Sequence, residues 1–439
     1  MSDSQGSIVI TGLGVISPLG NSPEQVWDAL IKGQSGVTRL GDVYEHLPTK
    51  VAGQSLGFTG DISQFGELEK TLHRSIKKGL KLMCRDIQMG VAAAQLAVNV
   101  SRVMSADPEA VAQFDRQRVG VLFGCDHILS IPEEFTNGVR ACLTQDKKFD
   151  FDQWAQKGLP KVDPLWLLKY LPNMPACHFA IYHDLQGPNN SLTVREASSN
   201  MAIAEAHCTL ARGSADVMVV GGTGARVHAS RSVHMALQEQ IALGDGDPSA
   251  ACRPFAADRS GMVLGEGAGA MVMETQEYAE KRGARILGRV LAGASSTVAD
   301  QRGVPNFRKG FENVMRSLLQ QSGMAVGGVG HVHAHGLGTT LCDQQEAEAI
   351  NAVFGPDKPV VAAKSFMGNL GAGGGLVEAI SSILAMQHGE LFAGLNCQNM
   401  DPSCKINLIT KAGADPGTSF INLSMTPQGQ ASGVLIAKA

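Results

Sequence analysis

Gly187-Pro188-Asn189-Asn190-Ser191-Leu192-Thr193-Val194-Arg195-Glu196-Ala197-Ser198-Ser199-Asn200 is the stretch from which the architecture can be read. An extended segment bends sharply at Glu196, a helical run including Met201-Ala202-Ile203-Ala204-Glu205-Ala206 continues to Gly213, and Val217-Met218-Val219-Val220 leads into Gly221-Gly222. Strand, bend, helix and strand in succession form the repeating unit of an α/β protein. A helix N-terminus carries unpaired N–H groups and the positive end of the dipole, so the bend aims the Glu196 side chain from a position that favours negative charge. The same residues admit a purely structural reading, in which Ser198 and Ser199 cap the helix and Glu196 complements its dipole.

Working outward, Ile8-Val9-Ile10 before Thr11-Gly12-Leu13-Gly14 and Val119-Gly120-Val121-Leu122-Phe123 before Gly124 read as further buried strands, and Gln88 to Ala97 as a helix with small residues on its packing face. After Glu274 the chain turns charged (TQEYAEKRGARILG) and then restarts, with strands expected at 286–292, 329–334, 360–363 and 420–423. The later half repeats the order of the earlier one, which suggests a duplicated α/β architecture. The stretch 129–182, with Trp154, Trp166 and several prolines, lacks periodicity and reads as a surface excursion.

Composition narrows the function classes. The 439 residues are 44% hydrophobic and 18% charged, which excludes a disordered chain and a small disulfide scaffold. Lys plus Arg is 37 and Asp plus Glu is 41, giving −4 with no basic block, so neither nucleic acid nor anionic lipid is an expected partner. Nine cysteines without a C-x-x-C pair read as free thiols, no apolar run reaches the ~18 residues of a membrane span, and MSDSQGSIVITGLG carries no leader pattern. A cytoplasmic protein is expected.

Two more segments carry candidate chemistry. In His331-Val332-His333-Ala334-His335-Gly336-Leu337-Gly338-Thr339-Thr340, alternate residues of a strand share a face. Three histidines there could clamp a metal, yet no fourth ligand is evident, so no metal site is assigned. A strand ending in Gly-x-Gly delivers its last side chain, His335, to a pocket; the alternative is a core histidine. In Ala363-Lys364-Ser365-Phe366-Met367-Gly368-Asn369-Leu370-Gly371-Ala372-Gly373-Gly374-Gly375, the glycine spacing fits neither G-x-G-x-x-G nor a Walker loop. Tight turning around Asn369 is the better account.

Taken in order with Val9 to Gly20, Ala215 to Gly222, Cys252-Arg253-Pro254-Phe255 and Gly265-Glu266-Gly267-Ala268-Gly269, these segments resemble the β-ketoacyl-acyl-carrier-protein synthases, the condensing enzymes of fatty acid and polyketide synthesis. The resemblance covers nearly the whole chain and implies a duplicated five-layered αβαβα thiolase-like fold, with an N-terminal half at 1–280 and a C-terminal half at 281–439. In that family a cysteine at the helix N-terminus takes the acyl chain as a thioester, and two histidines polarise the malonyl carbonyl. The resemblance places Glu196 at the nucleophile position, His335 at the first histidine, Asn369 at the second and Lys364 at the family lysine, and it puts Ser198, Thr339 and Gln428 among substrate-binding positions. The C-terminal glycine and phenylalanine gate is replaced by Met425-Thr426-Pro427-Gln428-Gly429-Gln430, and Ala256 stands where aspartate is usual.

A carboxylate cannot hold an acyl group as a stable thioester, so Cys-dependent condensation is expected to be absent. Cys208, twelve residues beyond Glu196 and about three helical turns away, is no substitute. The resemblance then implies a non-condensing partner subunit like the chain-length factors of type II polyketide systems. The alternatives are a malonyl-carrier-protein decarboxylase or a 3-oxoacyl synthase with atypical chemistry. No cofactor of its own is implied, since substrates ride on the phosphopantetheine arm of acyl carrier protein. Implied partners are that carrier protein and either a second copy or a Cys-containing ketosynthase. Arg195 is expected to pair with Glu196 or a neighbouring carboxylate, and the helix N-terminus and Lys364 are expected to keep Glu196 ionised.

Overall fold

A computed structural model of the chain describes residues 6–41, 47–104 and 115–439; the first five residues of the stretch read for a leader lie outside it. The strands are β1 (Ile8–Ile16), β2 (Val37–Arg39), β3 (Val51–Gly53), β4 (Val119–Cys125), β5 (Asn189–Leu192), β6 (Val217–Ala225), β7 (Glu266–Thr275), β8 (Gly288–Thr297), β9 (His331–His333), β10 (Pro359–Val361), β11 (Asn407–Leu408), β12 (Ser419–Met425) and β13 (Gln430–Ala437). Apart from the β2-β3 ribbon they form one sheet in the order β11-β10-β9-β12-β13-β8-β1-β7-β6-β4-β5. Its two parts meet where Ile8, Val9 and Ile10 pair with Val290, Arg289 and Gly288.

The duplication is written in that order. From the junction outward the first part runs β1-β7-β6-β4-β5 and the second β8-β13-β12-β9-β10. The pairings also agree in sense: β1-β7, β6-β7, β8-β13 and β12-β13 are antiparallel, whereas β4-β6, β4-β5, β9-β12 and β9-β10 are parallel. Six helices occupy matching places: α1 (Arg85–Ser101), α2 (Met174–His183) and α3 (Ser198–Ala211) in the first part, and α4 (Phe307–Ser322), α5 (Thr340–Phe354) and α6 (Gly374–His388) in the second. Helices α3 and α6 pack between the two sheet halves, α1 and α2 cover one outer face, and α4 with α5 covers the other. The result is the five-layered αβαβα arrangement.

A helix between two sheets has no face for water, and α6 is buried from Gly374 to Met386. Its Leu376, Val377, Ile380 and Ile383 join Ile203 and Leu210 of α3 in the central core. Fully burying each such side chain contributes about 2 kcal/mol. Close approach demands glycine in the strands: a Cβ at Gly14 would lie 2.0 Å from the Ala93 carbonyl oxygen of α1, and one at Gly269 would lie 2.7 Å from Leu376 Cβ of α6.

That requirement also hid part of the sheet. The run Gly267-Ala268-Gly269-Ala270, directly after Glu266, has little intrinsic strand preference, so β7 gives no sequence signal although it is a central strand. The 129–182 excursion consists of short helical turns and the short α-helix Thr136–Ala141, running into α2, and it exposes Phe151 and Ile181. Among the described residues no helix is long and apolar enough to cross a membrane.

Candidate active site

The bend between β5 and α3 puts Arg195 at φ 49°, in the left-handed region that costs a non-glycine residue energy. One 3-10 turn, Arg195–Ala197, follows before α3, and it lifts Glu196 into the interior, 2% exposed. Ser198 steadies the bend: its hydroxyl accepts the Val194 N–H at 2.8 Å. Ser432 Oγ donates to the Ala197 carbonyl at 3.0 Å, tying β13 to the same turn.

Glu196 is locked in a buried chain of charges. Arg226, from the end of β6, donates through Nη1 to Glu196 Oε1 and through Nε (2.9 Å) and Nη2 (3.0 Å) to both oxygens of Asp126. Arg195 Nε lies 3.4 Å from Glu196 Oε2, and its Nη2 donates to Glu239 at 2.6 Å. Burial opposes ionisation of Glu196, but the Arg226 and Arg195 guanidiniums outweigh it and hold the carboxyl well below the usual carboxylate range. Glu239 shows the converse: burial and then the Glu196 charge raise it to about 7, against the pull of Arg195.

Asn369 sits where the turn after β10 doubles back, its Oδ1 accepting Gly371 N–H at 3.1 Å, as the reading of a tight turn requires. Its amide nitrogen is spent on Glu196 Oε1 (3.1 Å) and Met262 Sδ (2.8 Å). His335 follows β9 and is held by its backbone, whose N–H donates to Glu346 Oε1 at 2.6 Å. Asp343 accepts the N–H groups of Leu337 and Gly338, both at 3.0 Å. The two acids of α5 therefore cradle the loop; burial raises Glu346 to about 8 and Asp343 to about 6. Both ring nitrogens of His335 are buried without a partner, and burial, reinforced by Lys364, keeps the ring neutral.

The other candidates divide. Lys364 pairs with Glu378 of α6 inside the core, so the ionised state of Glu196 rests on Arg226 and Arg195 rather than on Lys364 as expected from sequence. His331 and His333 are not metal-clamp partners of His335. Their nitrogens are taken by Pro416 O, Ser382 Oγ and the Ala363 N–H.

A cavity of about 190 Å³ opens beside the network, lined by Arg195, Arg226, Asp126 and Gln428 among others. Glu196, His335 and Asn369 are not among its lining residues, and neither are Ser198 and Thr339. Ser198 turns its hydroxyl inward to the bend, and Thr339 stands at the N-cap position of α5. Gln428, on the exposed turn between β12 and β13, does reach the opening.

Comparison with known proteins completes the picture. The N-terminal domain of beta-ketoacyl synthase matches residues 5–279, and its C-terminal domain matches residues 289–398. The chain belongs to the beta-ketoacyl synthase family. It is 30% identical over 421 residues to the mitochondrial 3-oxoacyl-[acyl-carrier-protein] synthase of Arabidopsis thaliana, covering 91% of this chain and 86% of that one. It is 28% identical over 436 residues to 3-oxoacyl-[acyl-carrier-protein] synthase 2 of Staphylococcus aureus, with 98% of each covered. The fold is shared with a beta-ketoacyl synthase from Burkholderia phymatum (TM-score 0.84, 24% identity, 99% of this chain and 100% of that chain). It is shared too with the ishigamide ketosynthase/chain length factor (TM-score 0.82, 24% identity, 99% of each chain).

No thiol of this family member approaches the histidine: the unpartnered His335 nitrogens have no sulfur in hydrogen-bonding range among the described residues. The buried thiols nearby are held protonated. Burial raises Cys252 to about 12 and pushes Cys125 and Cys342 well up. Sequence reasoning missed Arg226, Asp126 and Glu239. Arg226 had a signal, an arginine directly after the glycine-rich end of β6, but nothing local marks Asp126 as its partner a hundred residues away.

Proposed function

We propose that this β-ketoacyl synthase family chain, with halves at 1–280 and 281–439, is a non-condensing partner subunit of the chain-length-factor kind. It would assemble with a Cys-containing ketosynthase and handle chains carried on acyl carrier protein. The observation that carries this reading is the Glu196–Arg226–Asp126 lock: the nucleophile position holds an ionised carboxylate fixed by two arginines. An acyl group placed on that oxygen would break the lock and form an anhydride open to water, whereas condensation needs a thiolate.

Decarboxylation alone needs no nucleophile, and the free ring nitrogens of His335 favour it as a second reading. Against it, the Asn369 amide that would share the oxyanion is already donated to Glu196. Likeness to the ishigamide ketosynthase/chain length factor, and to a type II carrier protein–ketosynthase complex (TM-score 0.82, 21% identity, 99% of each chain), supports the partner reading at the level of fold.

The test is reconstitution with malonyl-carrier protein, with and without a Cys-containing ketosynthase from the same source. Product whose length changes only on mixing is expected. Acetyl-carrier protein formed by this chain alone would establish the decarboxylase instead.

A further inference from the structure

The two histidines of β9 that the candidate site does not use form a hydrogen-bond chain with a single direction. His331 Nδ1 lies 2.8 Å from the Pro416 carbonyl oxygen, which can only accept, so this nitrogen carries the ring proton. His331 Nε2 is then an acceptor, and it faces Ser382 Oγ of α6 at 3.0 Å. At the other end the Ala363 N–H donates to His333 Nε2 at 3.3 Å, so the proton of that ring sits on Nδ1, 2.8 Å from the same Ser382 Oγ. Ser382 therefore accepts from His333 and donates to His331. All three side chains are fully buried. The Phe420 ring stacks on His331 with centroids 5.3 Å apart, and the Phe392 ring lies 6.0 Å from that of His333. The chain thus ties together β9, α6, the turn that carries Lys364 and the loop before β12, and His335 follows two residues beyond His333 on the same strand end.

We infer that His331, Ser382 and His333 form an acid-sensitive latch, which holds the His335-bearing strand and the Lys364-bearing turn against α6 while both rings are neutral and releases them when the rings take up protons. A proton added to His333 would set its Nε2–H against the Ala363 N–H, donor to donor. One added to His331 would turn Nε2 into a donor and expel the Ser382 hydroxyl proton from the chain. The surroundings offer a charged ring no counter-ion. Neither Pro359–Val361 of β10 nor Ser419–Met425 of β12 carries a titratable side chain, Glu378 of α6 is spent on Lys364, and Asp415 accepts the Gly417 N–H. The charges that act on the rings are cationic, Lys358 on His331 and Lys364 on His333. Burial is the larger cause, and it holds His331 down to about 4 and His333 well below the usual histidine range. A histidine depressed in the folded state takes up its proton on unfolding. The latch therefore contributes its stability above the ordinary histidine value of 6.5 and loses it as pH falls toward about 4. The inference does not depend on whether the chain condenses.

The experiment uses the full-length chain with isotope-labelled histidine and long-range proton–nitrogen NMR spectra, which report the protonated nitrogen of each ring as pH is lowered from about 7.5 to about 4.5. Two rings are expected in the Nδ1–H form, unchanged down to about pH 5. Ser382→Ala should move the resonances of both together, and so assigns them, whereas Ser381→Ala, which removes a hydroxyl bonded only to the Val377 carbonyl of its own helix, should leave them in place. In a second arm, urea unfolding across the same pH range should show that His331→Phe, which keeps a ring against Phe420, takes up about one proton fewer on unfolding than the native chain. The native spectra decide on their own should His331→Phe fail to fold. An Nε2–H form at either ring, a ring that titrates near its ordinary value, or unchanged proton uptake in H331F would overturn the inference.

Discussion

Replacing Glu196 by glutamine should change how stability depends on pH, because it removes the charge that holds Glu239 protonated. In the native chain, burial and the Glu196 carboxylate raise Glu239 from 4.5 to about 7. A carboxyl raised in the folded state binds more protons folded than unfolded, so its contribution is greatest below its ordinary pKa and is lost as pH climbs through about 7. The gap corresponds to about 3 kcal/mol across that window as an upper figure, and part of it is owed to burial alone. In E196Q, Arg195 is left to Glu239, whose pKa falls toward the ordinary range, so the charge lost at 196 reappears at 239. Glu346 and Asp343 are also raised, but without help from Glu196. Glu378 and His335 feel its charge only behind burial and Lys364, whereas for Glu239 it is the leading cause after burial, so Glu239 carries most of the difference. Urea unfolding at pH 5, 6, 7 and 8 reads this directly. Native protein should lose stability relative to E196Q by about 1–3 kcal/mol between the lowest and highest pH. Parallel pH profiles for the two proteins would refute the coupling.

Lys364→Met leaves Glu378 charged and unpaired in the core and should cost about 3–5 kcal/mol, whereas the K364M/E378L double variant should recover most of that loss. Thermal or urea unfolding of both checks it, and equal losses would show that the pair is not coupled. Alkylation by iodoacetamide should reach the exposed Cys208 first and the half-buried Cys84 and Cys177 slowly, while Cys125, Cys252 and Cys342 resist until the chain unfolds. Peptide mapping against time reads the order, and early modification of Cys252 would contradict the burial on which the absence of a rescue thiol rests.

Much of the fold was legible because its strands announce themselves locally. Val119 to Phe123 and Val217 to Val220 are β-branched runs ending in glycine, and they became β4 and β6. β7 was silent for the opposite reason: its glycines and alanines answer to helices α1 and α6 packed on either face, a demand that local propensity does not express. At the site, the bend at Glu196 and the turn at Asn369 were readable from residue type and spacing, and the two side chains do meet. The lock was not readable. Arg226, Asp126 and Glu239 come from three separate segments: the parallel pairing of β4 with β6 sets Asp126 beside Arg226 at the strand ends, and Glu239 arrives through Arg195 from the segment after the helix Ala229–Ala236. The partner of Lys364 was not readable either, because Glu378, fourteen residues on, meets it only through the fold of the turn into α6.

Intact-protein and peptide mass spectrometry of the purified chain after incubation with an acyl donor on carrier protein bears most directly on the proposal that the chain does not condense. No acyl adduct should appear on the 187–212 peptide, and no 3-oxoacyl product should form without an added Cys-containing ketosynthase. An adduct retained at Glu196, or 3-oxoacyl product from this chain alone, would contradict the account.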